Sequence, residues 1–140
     1  VSEEGAGPVG EAGLTLDVLP GRHVVARLAP DHPVPAGVWG AVGLVSVTRS
    51  PDELSVVCPE GHAPAGARVE GDWRVLTVRG PLDFALTGIL ANLSGALADA
   101  GVALFAVSTF DTDHVLVREK DLATAVAALR SAGHTVHEQA

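Results

Sequence analysis

Between residues 74 and 138 the apolar residues switch from strand spacing to helix spacing and back, twice, and few folds accommodate that pattern. Residues 74–79 (RVLTVR) form a short apolar run bounded by Gly71 and by the Gly80-Pro81 pair, which predicts a strand. Leu86, Ile89, Leu90, Leu93 and Leu97 then fall on one stripe of a helix. Asp83 stands where an N-cap belongs, and Gly101 where a helix-ending glycine belongs. Residues 102–110 predict a second strand, Asp111, Thr112 and Asp113 a turn, and residues 114–117 a returning strand. A second stripe of Leu122, Val126 and Leu129 starts behind Asp121 and stops at Gly133, and residues 134–138 make a last strand. The order is β-α-β-β-α-β. The expected class is α+β with a ferredoxin-like sheet, both helices burying their stripes on one face of it.

The first half is rich in Gly and Pro and repeats this order with its helices shortened. Residues 14–19 and 23–28 read as strands around the Pro20-Gly21 turn, and residues 44–48 and 54–57 as a hairpin around Ser50–Glu53. The segments between these strands have room for a turn or two of helix at most. Residues 23–27, 44–48 and 55–57 align with residues 74–78, 104–108 and 115–117, as expected of an internal duplication. The expected organisation is a loose tail over 1–13, a reduced unit over 14–70 and a complete unit over 71–140.

Composition narrows the function. Hydrophobic residues make up 47% of the 140, enough for a core, so disorder of the whole chain is excluded. No apolar run approaches the roughly 18–20 residues of a membrane span. The first residues lack the pattern of a secretory signal, and the single cysteine, Cys58, allows no disulfide within the chain. A cytoplasmic setting is the default expectation. Nine basic against seventeen acidic residues disfavour a partner read through its phosphates. An RNA-binding sheet would need exposed aromatic residues, and the strands here are aliphatic. No nucleic acid and no membrane are therefore expected as partners.

Candidate chemistry centres on residues 108–114. Asp111 and Asp113 imitate the D-x-D of magnesium-dependent phosphatases, but the further acids such a site needs have no downstream sheet to supply them. Strand alternation sends Asp113 and His114 to opposite faces, which argues against a shared metal. Cys58 and His62 are separated by Pro59 and Gly61, and Cys58 reads as a buried strand-end thiol. Ser108 and Thr109 are placed to hold the turn or a ligand. Trp39 and Trp73 read as packing residues. Nucleophile, base and acid do not assemble, so no enzyme activity, cofactor or metal is expected.

The segments GPLDF and TGIL, followed by STFDTDHVLVREKDL, resemble the ACT domain in its tandem form. The resemblance covers about residues 14–138 and implies two ferredoxin-like ACT units in tandem, the first with reduced helices. It also implies a regulatory protein that binds a free amino acid without acting on it. In such domains the loop between the first strand and first helix holds the ligand's backbone groups. Here that loop is Asp83, Phe84, Ala85, Leu86, Thr87 and Gly88. A helix start suits the carboxylate, since it carries spare N–H groups and partial positive charge. Asp113, just beyond the unit's second strand, corresponds to an acid that receives a cationic group in an arginine-binding member. Ser108 and Thr109 could assist, and Val102, Ala103 and Leu104 of a partner unit would close the site, implying a homodimer. That arginine-binding member carries an acid where Leu86 stands here, so a neutral amino acid fits at least as well. The alternative reading is a module that has lost its ligand and keeps its sheet for dimerisation.

Overall fold

The structure, a computed structural model, describes residues 13–83 and 88–138. In chain order its main elements are β1 (Thr15–Val18), β2 (His23–Leu28), β3 (Ser46–Arg49), β4 (Leu54–Pro59), β5 (Arg68–Val78), α1 (Ile89–Asp99), β6 (Leu104–Ser108), β7 (Asp113–Arg118), α2 (Leu122–Ser131) and β8 (Thr135–His137). The chain divides into two compact units, one of residues 20–75 and one of residues 13–19 with 76–138.

In the unit of residues 20–75 the strand order is β3-β4-β2-β5, with neighbours antiparallel. Val24, Ala26 and Leu28 pair with Cys58, Val56 and Leu54. Because side chains alternate across a strand, these six share one face. Val38, from the 3-10 turn Ala36–Gly40, buries itself against them. Pro33, Pro35, Gly37 and Gly40 crowd that connection, so it stays a 3-10 turn, as does the second connection, Glu60–His62. At the β3–β4 turn Ser50 donates its N–H to the Glu53 carbonyl at 2.9 Å, and its hydroxyl accepts from Asp52 N–H at 3.2 Å. Trp73 is buried as expected, whereas Trp39 is 62% exposed and does not belong to the core.

β5 is longer than its sequence signal. Gly71 reads as a boundary but lies inside the strand, beside an irregularity in the pairing of β5 with β2. Asp72 there has φ 62°, the conformation of a bulge residue rather than a terminus.

In the unit of residues 13–19 and 76–138, β1 pairs antiparallel with the end of β5 (Asp17 opposite Thr77) and parallel with β8 (Thr15 opposite Thr135). β7 pairs with β5 and, antiparallel, with β6. β1 therefore stands between β5 and β8, and residues 14–19 pack in the same unit as the second half of the chain. The core gathers Leu16, Val18, Leu76 and Val78 with Val115, Val117 and Val136 under Ile89, Leu93 and Leu97 of α1 and Val126 and Leu129 of α2. Both helices end alike. Gly101 N–H donates to Ala98 O and Val102 N–H to Leu97 O; Gly133 N–H donates to Arg130 O and His134 N–H to Leu129 O. Gly101 (φ 77°) and Gly133 (φ 97°) take the left-handed conformation that this double cap requires. The start of α1 corrects the sequence reading. The helix begins at Ile89 with Gly88 at its N-cap, so Asp83 is not the capping residue. Among the described residues no helix is long and apolar enough to cross a membrane.

Candidate functional site

The unit of residues 13–19 and 76–138 contains a cleft of about 320 Å³. One wall is the segment after β5 and the start of α1: Leu82, Asp83, Gly88, Ile89 and Leu90. The other is the end of β6, the turn and the start of β7, from Ser108 to Asp113. Strand register explains the second wall. Val115 and Val117 point into the core beneath the helices, so Asp113, two residues earlier, is on the same face. Ser108 is directly opposite Asp113, which brings hydroxyl and carboxylate to one end of the β6–β7 pair. His114 points the other way. Its Nδ1 lies 2.9 Å from Thr77 Oγ1, and burial lowers the pKa of its ring despite the neighbouring Asp113 carboxylate.

The turn between β6 and β7 is a two-residue loop, Phe110 and Asp111, closed by Thr109 N–H donating to Thr112 O at 2.8 Å. The Thr109 hydroxyl donates to the same carbonyl at 3.0 Å, so its first role is to hold the turn. Phe110 stands 79% exposed at the rim. The first wall supplies donors instead. An α-helix leaves its first N–H groups unpaired within the helix, and in α1 the internal ladder starts with Asn92 N–H donating to Gly88 O. The N–H groups of Ile89 and Leu90 therefore belong to an open helix start. With Gly88 at φ 81° and no side chain, that start has no side-chain cap among the described residues. Carboxylates and hydroxyls oppose a helix N-terminus across one cleft, a charge pattern suited to a small zwitterion. Among the described residues no group of three or more His, Cys, Asp or Glu is arranged to hold a metal ion.

The residues singled out in the sequence separate into three sets. Asp83, Gly88, Ser108, Thr109 and Asp113 line the cleft together. Phe84, Ala85, Leu86 and Thr87 lie outside the described residues. Val102, Ala103 and Leu104 lie at the opposite end of β6 from Ser108. Val102 is buried in its own unit's core, Leu104 packs partly against that core and Ala103 is exposed. Leu82, Ile89, Leu90 and Thr112 also line the cleft although sequence reasoning did not place them there. Thr112 had a signal, since it sits between the two aspartates.

A family model described as the ACT domain matches residues 68–131, and a second model, of an N-terminal domain, matches residues 21–66. A protein of Agobacterium tumefaciens known from an X-ray crystal structure is 38% identical, with a TM-score of 0.84 over 91% of this chain and 95% of that one. The Homo sapiens cytosolic arginine sensor for mTORC1 subunit 1 is 37% identical over 59 residues, which are 41% of this chain. The chain spans only 18% of that sensor's length. The regulatory subunit of aspartate kinase from Thermus thermophilus shares the fold, at 17% identity and a TM-score of 0.57 over 84% of this chain and 93% of that one. With the sheet order, the matched segment and a relative alike over nearly its whole length, the chain belongs to the ACT-domain family.

Proposed function

We propose that this chain is a non-catalytic regulatory module that reversibly binds a free amino acid in the cleft between the α1 start and the β6–β7 turn. The observation that carries the reading is the convergence of the Gly88 helix start with Ser108 and Asp113 in one cleft of about 320 Å³. The ligand's carboxylate takes the N–H groups at the α1 start. Its ammonium group donates to Asp113, and the Ser108 hydroxyl assists. Supporting the reading is the name of one relative, an arginine sensor, although that protein is far longer than this chain. At about 0.4–0.8 kcal/mol per heavy atom, below the ceiling of about 1.5, a ligand of about ten heavy atoms gains about 4–8 kcal/mol, so affinity falls in the millimolar to micromolar range.

The two units are, on this reading, tandem ACT-like units, the first with its helices reduced to 3-10 turns. The working form is a homodimer. β6 has β7 as its hydrogen-bonded neighbour, and residues 104–108 (LFAVS) bear no charge or proline to block a second pairing. Antiparallel pairing with the β6 of a second copy would bring the exposed residue 103 of that copy toward Ser108 and the cleft. The same open edge favours a second reading, in which the sheet serves dimerisation alone and the cleft takes no ligand.

Isothermal titration with each proteinogenic amino acid at millimolar concentration separates the two. Heat from one or a few of them supports the sensor reading, and Asp113→Ala then weakens binding by more than about tenfold, since the ammonium loses its charged partner. No heat from any, and no shift in melting temperature with any, removes it in favour of the dimerisation module.

A further inference from the structure

Asp83, Asp111 and Asp113 stand on two different stretches of chain, and three contacts tie those stretches together. The Thr112 hydroxyl donates to the Val78 carbonyl, the last of β5, at 2.5 Å. Leu82 N–H donates to the Asp111 carbonyl at 2.7 Å. Between them Gly80 packs so closely that a Cβ there would stand 2.9 Å from the Asp111 carbonyl oxygen and 3.2 Å from Thr112 Cβ. Each contact is adjacent to the cleft. Leu82 precedes Asp83, and Thr112 lies between Asp111 and Asp113. The Thr112 hydroxyl itself is directed at the strand end, so it carries no ligand contact in this arrangement.

From this geometry we infer that Thr112 and Gly80 are positioning residues of the cleft: they strap the β6–β7 turn to the end of β5 and so fix the spacing between Asp83 and Asp113. Thr112 acts through its hydroxyl proton, which the Val78 carbonyl receives. Gly80 acts by lacking a side chain, which lets the Asp111 carbonyl reach the Leu82 N–H. The inference rests on the amino-acid reading for its functional consequence, but the strap has a readout of its own.

Thr112→Val keeps the side chain's shape and removes the donor. The expected result is faster amide hydrogen exchange at Leu82, by about five- to tenfold, because the loss of one hydrogen bond loosens the strap. Affinity for the tightest amino acid in the titration panel falls by a similar factor, and Thr112→Ser restores both. Gly80→Ala gives the same two effects through a different cause, displacement of the Asp111 carbonyl. The positioning role is overturned if Thr112→Val leaves Leu82 exchange unchanged, whatever the ligand data, or if it leaves affinity unchanged in a protein whose wild type binds. A wild type that binds no amino acid ends the sensor reading while the exchange measurement still decides the strap.

Discussion

His134 does more than its exposure suggests. It is buried, its Nδ1 accepts the Leu14 N–H at 3.0 Å, and its Nε2 donates to Asn92 Oδ1 at 2.6 Å. One neutral ring thus links the lead-in to β1 with α1, and burial lowers its pKa. Burial lowers that of His114 and is the leading cause of the lowering at His23, whose Nε2 accepts Leu44 N–H. The sign follows. Between the lowered folded values and the unfolded value near 6.5, the unfolded chain binds more protons, so stability declines as pH falls below about 6.5. Chemical denaturation at about pH 7.5 and 5.5 reads this as a lower midpoint at the acid end. His134→Gln lowers stability by about 1–3 kcal/mol at neutral pH and flattens part of that decline. An unchanged slope in the variant assigns the effect to the other two rings. Cys58 reads on the same scale. It is buried and burial raises its thiol pKa, so a thiol reagent labels it slowly in the native protein and fully once denaturant is added.

At the scale of elements, the start of α1 departs most from its sequence signal. Leu86 continues the apolar stripe one turn too far, and Asp83 is a capping type of residue, so the pattern pointed to an earlier start. Gly88 decides otherwise because φ 81° suits a residue without Cβ. Gly88→Ala should cost about 1 kcal/mol by thermal melt, whereas Asp83→Ala should leave helix content unchanged. The helix ends were legible to the residue, because Gly101 and Gly133 each follow the last stripe position by the interval a double cap needs. Strands were legible as runs but not as neighbours. Nothing in residues 15–18 specifies that they lie between β5 and β8, since apolar alternation fixes a strand's face and not its partner. The cleft was legible in part for the same reason. Asp113 and Ser108 meet through local register, while their approach to Gly88 depends on how helix packs on sheet.

At the scale of the whole molecule there are two compact units, each with its own buried cluster. Leu76 is fully buried in the core of the unit of residues 13–19 and 76–138. Leu76→Ala should lower stability by about 2–5 kcal/mol, measured by urea unfolding. If the sheet edge serves dimerisation, Ala106→Lys on β6 should yield monomers in sedimentation while leaving the fold intact, because Ala106 is exposed and a charge there opposes edge pairing. A monomer of the unaltered protein at micromolar concentration would count against the homodimer.

The parallel pairing of Thr15 with Thr135 has a consequence for biogenesis. When the ribosome has released β1, the strand β8 it will lie beside has not been translated, and everything between the two must be made before they can meet. Residues 20–75 have all their own strand partners much sooner, so they can organise cotranslationally while β1 waits for β8 to emerge.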